Sequence, residues 1–582
     1  MNTLHRFAWL SLALFCHGAV AEQADDWVAM SDEHTRRVLE AQAAFAPEGA
    51  ANLGLEQFDE NIIDLGPDLH ERSIRTDQEL VALTRERLRT AEHPKLLQDL
   101  QILAQALEDG IRSEQLDHQH MLPYYNLSQA LFFGFRSLLD PRTDAQRYPA
   151  ALVRLKKYTG AAEGYTPVTE LARQRTTERF AEPGLLGPFK GQLERDLNNV
   201  SRFADGLRQT FAASGLEGWE PDLETLLEQL DDYAGWLREE MLPRAREDHR
   251  LPEEVYADNL KNFGVRDTPE QLILAAQFGF QEIKTQMRSL ARQIAEQRGW
   301  ENGELMFVMK ELKKEQIPQD RILEVYQQRL AEVEDIIREH DIVTLPERDA
   351  SIRLATEAES ASIPAPFMSP PQLIGNTGQY GEFVLVQKNP AMEEGAQMDD
   401  WSHDAVTWPL TVHEARPGHE MQFAALVENG TSLARITYAF NSANVEGWGL
   451  YAETIMMEHL PLEGQLFTLL TRLQRAGRMF MDPMVNLGQM SPEQAVDFMM
   501  NQIGLSEAMA RSEADRYAFL APGQATAYYY GYRNLQRLRT EVEMALGERF
   551  NQRAYHDFIL AQGLLPPELL REAVLEEFVP SQ

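Results

Sequence analysis

The stretch Leu223-Glu224-Thr225-Leu226-Leu227-Glu228-Gln229-Leu230 places its leucines three and four residues apart. This spacing returns apolar side chains to one face of an α-helix, as a helix that buries one side requires. The same pattern recurs over residues 192–211, 269–296 and 319–339. The sequence therefore predicts a mostly α-helical protein. Its 582 residues could form several average domains or one large catalytic unit with two lobes.

The composition limits the classes of function. Hydrophobic residues make up 43% of the chain, which is enough for a sizeable core and excludes disorder of the whole chain. The 91 acidic residues against 55 Lys and Arg give a formal net charge of −36. A surface of this charge repels phosphate backbones, so we expect no nucleic-acid partner.

The N-terminus is typical of a secretory signal peptide. A basic start is followed by an apolar run from Phe7 to Phe15 and by an Ala-x-Ala sequence that ends at Ala21, after which we predict cleavage. The run is too short to span a bilayer, so a periplasmic or secreted protein with no membrane contact is expected. Cys16 is the only cysteine, and its loss would exclude disulfides and thiol chemistry. Phe15 stands where a lipoprotein signal requires a small residue, which argues against lipidation.

A proline-rich segment indicates the division of the chain. The stretch from Ile363 to Pro371 contains four prolines, which prevent a continuous helix. Residues 381–387 follow it and form the clearest strand candidate. We therefore predict a helical N-terminal lobe over residues 22–365 and a catalytic lobe with a small β-sheet over residues 366–582.

Residues that could bind a metal ion follow that strand. The segment from His413 to Glu420 reads His-Glu-Ala-Arg-Pro-Gly-His-Glu, and Glu446 stands later before Gly-Trp-Gly-Leu-Tyr-Ala-Glu. Two imidazoles and one carboxylate make a catalytic zinc shell with an open position for water. We predict one Zn²⁺ per chain, bound by His413, His419 and Glu446, with Glu414 as the general base. Ligands of these types also suit manganese or cobalt.

The six-residue spacing of the histidines does not fit a regular helix. Residues six apart on a helix differ in direction by about 120°, so His413 and His419 would point to different faces. Pro417 cannot donate to the carbonyl of His413, and a bulge or restart there could bring His419 back. The competing interpretation is a metal site of His413, Glu414 and Glu446, with His419 as a donor to the transition state.

Tyrosines at and after position 528 could stabilise negative charge. Attack of water on a peptide carbonyl builds negative charge on oxygen, which a positioned phenol can stabilise. Tyr528 is the first candidate for this catalytic role, with Tyr529 and Tyr532 as alternatives. Tyrosines at helical spacing are also ordinary core residues.

Two polar residues precede these tyrosines. Arg516 could bind a substrate carboxylate, because its planar guanidinium matches that group, and Gln524 could hydrogen-bond the peptide backbone. The ordinary alternative for Arg516 is an ion pair with Glu513 on its own helix.

Three motifs in order resemble those of the bacterial family known as domain of unknown function 885. They are His-Glu-Ala-Arg-Pro-Gly-His from His413, Glu-Gly-Trp-Gly-Leu-Tyr-Ala-Glu from Glu446, and Pro-Gly-Gln-Ala-Thr-Ala-Tyr from Pro522. Earlier segments, such as Tyr148-Pro149-Ala150, are similar too, so the resemblance extends over about residues 30–580. It implies a two-lobed, zincin-like fold with a cleft, in the style of helical oligopeptidases and carboxypeptidases.

The expected function is that of an exported zinc metallopeptidase that hydrolyses short peptides. The preference for short peptides follows only from the resemblance, whereas carboxypeptidase or dipeptidyl-carboxypeptidase action would depend on Arg516. The alternatives are a zinc amidase or esterase with the same residues, and a non-catalytic periplasmic binding protein. The sequence predicts a peptide as the partner and no particular oligomeric state.

Overall fold

The computed structural model describes residues 27–356, 359–360, 365–376, 378–386, 398–428 and 430–582. The predicted signal peptide and its cleavage site lie outside these residues. Within them the chain is mostly helical, and no helix is long and apolar enough to cross a membrane. The α-helices are 27–43, Pro47–Leu53, Leu69–Thr90, Pro94–His120, Leu127–Leu138, Pro149–Thr159, Val168–Thr177, Lys190–Ala213, Glu220–Trp236, Glu253–Asn262, Pro269–Arg298, Leu305–Lys313, Ile322–Glu339, Asp404–Glu414, His419–Glu428, Ser442–Met456, Leu462–Asn486, Pro492–Phe498, Glu507–Asp515, Ala527–Leu546, Gln552–Ala561, Pro567–Ala573 and Val579–Ser581.

The helices predicted from leucine spacing are confirmed. Leu223, Leu226 and Leu230 are buried on one face of the helix Glu220–Trp236. The helix Pro269–Arg298 begins at a capping box in which Thr268 and Gln271 satisfy each other's backbone N–H groups. It ends at Gly299, whose left-handed φ of 69° suits a residue without Cβ.

The apolar side chains form several cores. One core is built from residues between 65 and 241 and includes Phe135, Phe211 and Leu226. A second and larger core joins the helices Pro269–Arg298 and Leu462–Asn486. These two helices pack along their length, and Phe280 of the first contacts Phe480 of the second at a ring-centroid distance of 5.6 Å.

Residues between 351 and 385 form a three-stranded β-sheet. Its strands are β1 (Ser351–Leu354), β2 (Phe367–Ser369) and β3 (Glu382–Leu385), in the order β1-β3-β2. β3 is parallel to β1 and antiparallel to β2, and it confirms the predicted strand. The sheet therefore takes strands from both sides of the predicted boundary at residue 365.

The sheet packs near the helix that carries the first motif. Phe383 of β3 shares a core with Leu410 of the helix Asp404–Glu414 and with Ala415 after it. The sheet thus supports the end of that helix, where His413 lies. This position agrees with the predicted small sheet near the candidate site.

Candidate metal centre

The chain between the two histidines leaves the helix and starts a new one. The first helix ends at Glu414, and Ala415 has φ −102° and ψ −104°, outside the helical region. The Arg416–Pro417 peptide bond is cis, and the next helix begins at His419. The restart that Pro417 suggested is therefore present, and it removes the directional conflict of the six-residue spacing.

Buried polar contacts hold this connection in place. Arg416 is only 1% exposed and donates to Glu420, to Glu334 and to the backbone carbonyl of Arg348. The indole N–H of Trp448 donates to the carbonyl of Pro417 at 2.9 Å. Trp448 of the second motif thus holds the connection between His413 and His419 in place.

Glu420 has a structural position. Its carboxylate is fully buried and pairs with Arg416 at 3.0 Å and with Arg348 at 2.7 Å. Glu420 adds a negative charge close to the candidate ligand His419. The two guanidinium groups neutralise it.

Three side chains converge with geometry that fits a metal ion. One ligand atom each of His413, His419 and Glu446 lies within 4.8 Å of the others. Glu446 Oε2 is 3.5 Å from His413 Nε2 and 3.3 Å from His419 Nε2. Zinc with ligands at about 2.0–2.2 Å separates two tetrahedral ligand atoms by about 3.3–3.6 Å. Charge-assisted hydrogen bonds are shorter, at about 2.7–2.9 Å, so the spacing suits ligands that share an ion.

The charge state of Glu446 also suits a ligand. Burial opposes its charged form, but the imidazoles of His413 and His419 outweigh burial and hold its pKa well below the ordinary value. Glu446 is one of two residues of the helix Ser442–Met456 that are not fully buried, and its side chain is 17% exposed. The carboxylate is therefore ionised and open to solvent on one side.

A second carboxylate orients His413 from behind. His413 Nδ1 lies 2.8 Å from Oε1 of Glu453, so the ring donates its Nδ1 hydrogen to that carboxylate. The hydroxyl of Thr471 donates to the other oxygen of Glu453. Carboxylates of this kind fix the tautomer of a metal-binding histidine and leave Nε2 free for the ion.

Two glycines of the second motif lie where a side chain would collide. A Cβ on Gly449 would meet Cε1 of His413 at 2.6 Å, so this glycine leaves space for the imidazole. A Cβ on Gly447 would meet the backbone of Gly531 at 2.6 Å. The helices Ser442–Met456 and Ala527–Leu546 therefore approach closely at a pair of glycines.

Glu414 lies in the electrostatic field of the centre. It is 9% exposed, and burial raises its pKa above the ordinary value against the pull of His413 and His419. Within the described residues, the convergent ligand group contains His419 rather than Glu414. This arrangement favours the first predicted ligand set over its competitor.

Tyr528 contacts the first histidine and is held by Arg516. Its ring stacks on that of His413 at a centroid distance of 6.5 Å. Arg516 Nη2 donates to the Tyr528 hydroxyl oxygen at 2.9 Å and to Gln524 Oε1 at 2.5 Å. Gln524 in turn donates to the hydroxyl of Ser442. Tyr528, Arg516 and Gln524 thus form one network beside the ligands.

Tyr529 and Tyr532, the alternative candidates for the role of Tyr528, contact other parts of the protein. A Cβ on Gly279 would lie 2.2 Å from the hydroxyl oxygen of Tyr529, so this tyrosine faces the helix Pro269–Arg298. Tyr532 lies beneath the guanidinium of Arg472. The ordinary pairing of Arg516 with Glu513 is present, but at a long distance of 3.8 Å.

Buried guanidinium groups also border the centre. Arg475 and Arg478 lie 5.7 and 4.6 Å from the centroid of the Tyr528 ring. Arg478 makes a bidentate pair with Glu513 at 2.6 and 2.7 Å, whereas Arg475 has no such partner among the described residues. The pair with Arg478 outweighs the effect of burial and lowers the pKa of Glu513 to about 2.

The sequence analysis did not predict that Glu453, Arg475 and Arg478 lie at the site. Glu453 stands seven residues after Glu446, two helical turns away, so helical spacing could have placed both on one face. Arg472, Arg475 and Arg478 recur every three residues in an otherwise apolar segment. That pattern could have indicated charged groups inside the protein.

The fold and this cluster define a mostly helical protein with a buried site of metal-ligand type. A family model described as a bacterial protein of unknown function (DUF885) matches residues 47–574. The chain belongs to this family. A comparison with curated proteins finds no match.

Two solved structures are similar in fold. One is described as "a putative lipoprotein of unknown function from Shewanella oneidensis"; it is 18% identical with a TM-score of 0.73 and covers 94% of this chain and 99% of its own. The other is described as "the putative lipoprotein from Colwellia psychrerythraea"; it is 18% identical with a TM-score of 0.76 and covers 96% of this chain and 100% of its own. At this identity the likeness concerns the fold alone.

Proposed function

We propose that this protein is an exported zinc metallopeptidase with a two-lobed, zincin-like fold that hydrolyses short peptides. The observation that carries the proposal is the convergence of His413, His419 and Glu446 within 4.8 Å beside Glu414. Two imidazoles and one carboxylate leave a coordination position open, as catalytic zinc sites do.

The residues around the centre suit the hydrolysis of an amide bond. A bound divalent ion of the zinc type supplies Lewis acidity, which polarises a carbonyl and makes water nucleophilic near neutral pH. Glu414 accepts the proton of the attacking water and delivers it to the departing nitrogen. Tyr528 donates its hydroxyl hydrogen to the developing oxyanion, because its oxygen already accepts from Arg516.

Export is supported by the N-terminal sequence and by the relatives. A basic start, a short apolar run and the Ala-x-Ala that ends at Ala21 are typical of a cleaved signal. The two similar structures are both described as putative lipoproteins, a class of exported protein. The location that follows is the periplasm or the outside of the cell.

The test combines metal analysis with a peptide panel. We expect about one zinc per chain in the purified protein, retained in Glu414→Gln and lost in His413→Ala. The zinc-loaded protein should cleave short peptides, and Glu414→Gln should reduce kcat by about 100- to 10,000-fold. The exposed variant Glu458→Gln serves as the matched control and should cleave as the parent does.

Two outcomes would contradict the proposal. Absence of bound metal after reconstitution with zinc would leave a helical binding protein as the better account. Cleavage of an ester or non-peptide amide panel without cleavage of peptides would assign the centre to another class of hydrolase.

A further inference from the structure

Arg475 is a buried cation with no carboxylate partner. It lies on the helix Leu462–Asn486 and is 5% exposed. No carboxylate oxygen of the described residues lies within 4.0 Å of its guanidinium, and its one hydrogen bond goes to the side chain of Gln474 at 3.2 Å. Its Nε hydrogen is buried without any partner. A charge removed from water in this way is unfavourable unless something compensates it.

The neighbouring arginines are paired. Around the ring of Tyr528, Arg478 is bound by Glu513 through two hydrogen bonds, and Arg516 donates to Gln524 and to the Tyr528 hydroxyl. Burial and the charge of Arg478 lower the pKa of Arg475 and outweigh the more distant charges of Glu453 and Glu513. Arg475 is therefore the guanidinium of this group that remains available to bind an anion.

The position of Arg475 is next to the candidate centre. Its guanidinium lies 5.7 Å from the Tyr528 ring centroid, and the same ring stacks on His413. One helical turn before Arg475, Thr471 donates to Glu453, the carboxylate that accepts from His413. A peptide placed for attack beside Glu414 would thus lie close to this cation.

We propose that Arg475 binds a carboxylate of the substrate, so that the centre acts on peptides with a free carboxylate near the cleaved bond. The inference rests on the proposed function. The guanidinium offers a planar pair of N–H donors, which matches a carboxylate in a bidentate manner. Arg475 takes the role that the sequence suggested for Arg516, since Arg516 already serves Tyr528 and Gln524.

Two peptide carboxylates have this chemistry, the C-terminal one and that of an acidic side chain. The test uses two pairs of peptides. The first pair is one peptide as the free acid and as the C-terminal amide. The second pair is the C-terminal amide with either Glu or Gln near its C-terminus. In one of the two pairs, we expect the parent protein to cleave the peptide with the additional carboxylate with a kcat/KM about 10- to 100-fold higher than its neutral counterpart, mainly through a lower KM. Preference for the free acid indicates the C-terminus, and preference for the Glu peptide indicates a side chain.

The variants Arg475→Met and Arg475→Lys identify the residue. Arg475→Met should abolish the preference for the carboxylate form, measured as the ratio of kcat/KM for the two peptides, and Arg475→Lys should keep part of it. Arg472→Met is the matched control, because Arg472 is equally buried on the same helix but lies over Tyr532 and donates to Thr454. Equal cleavage of all peptides by the parent would overturn the inference and leave the peptidase proposal standing.

A binding experiment separates failure of the inference from failure of the proposed function. Calorimetry with zinc-loaded Glu414→Gln should show tighter binding of the carboxylate peptide, and Arg475→Met in the same background should remove this difference. If the parent cleaves nothing but this difference is seen, the anion site stands and the peptidase proposal fails. If the charged and neutral peptides bind equally, the anion site is overturned whatever the activity.

Discussion

Glu453 Oε1 lies 2.8 Å from Nδ1 of His413, on the side of the ring opposite to Glu446. The imidazole is thereby held between two carboxylates of one helix, which stand two turns apart. Thr471 donates to the free oxygen of Glu453 from the helix Leu462–Asn486. The orientation of the first ligand is thus set by residues from two other helices.

Replacing Glu453 should weaken metal binding without removing a ligand. We expect Glu453→Gln to lower zinc affinity by about 10- to 100-fold, because the tautomer and direction of His413 lose their support. Titration against a competing chelator measures this affinity. Glu458→Gln, at the end of the same helical region and 83% exposed, should bind zinc as the parent does. An unchanged affinity in Glu453→Gln would assign this carboxylate no part in the centre.

A methyl group at Gly449 should displace the first ligand. A Cβ there would approach His413 Nε2 to 2.8 Å, so the ring must move in Gly449→Ala. We expect zinc content to fall while the helical circular dichroism remains. Gly235→Ala is the control, since nothing lies within 4 Å of its Cβ position; it should keep its zinc and be stabilised by up to about 1 kcal/mol. Full zinc occupancy in Gly449→Ala would contradict the ligand position of His413.

Removing the Tyr528 hydroxyl should slow the chemical step. We expect Tyr528→Phe to reduce kcat by about 100- to 1,000-fold with little change in KM, because the oxyanion loses a donor. Steady-state kinetics on a cleaved peptide measure both constants. Tyr529→Phe changes the adjacent residue, which faces Gly279, and should be nearly neutral. Equal losses in both variants would indicate a packing role for the tyrosines.

The free energy of unfolding should decrease with rising pH because the buried carboxyl of Asp482 ionises. Burial raises the pKa of this carboxyl to about 7 from its ordinary 3.8, although Tyr256 and the Gly523 N–H donate to it. The folded state therefore binds the extra proton between about pH 4 and 7, and its stability decreases by on the order of 4 kcal/mol across that range. Above pH 7 this loss is complete.

The variant Asp482→Asn isolates this effect. The melting temperature of Asp482→Asn minus that of the parent should be larger at pH 8 than at pH 5, because the amide does not ionise. Thermal unfolding of both proteins at the two pH values gives the comparison. A difference in melting temperature that does not change with pH would show that Asp482 does not titrate in this range.

The sequence predicted the local features of this protein well. Leucine spacing predicted the helices, the apolar run at residues 381–387 predicted strand β3, and residue type singled out His413, His419 and Glu446. These predictions depend on the periodicity of neighbouring residues and on the chemistry of single side chains. Both are present in the linear chain.

Long-range packing decided the rest. Only the folded chain shows that the helix restarts at His419, that Trp448 fastens Pro417, and that Glu453 supports His413. The contrast between paired Arg478 and unpaired Arg475 is likewise invisible in the sequence, where both are arginines in one apolar helix. The partners of a buried charge come from distant segments, and no local spacing specifies them. Residue type thus determined the chemistry of the site, and tertiary structure determined which groups meet there.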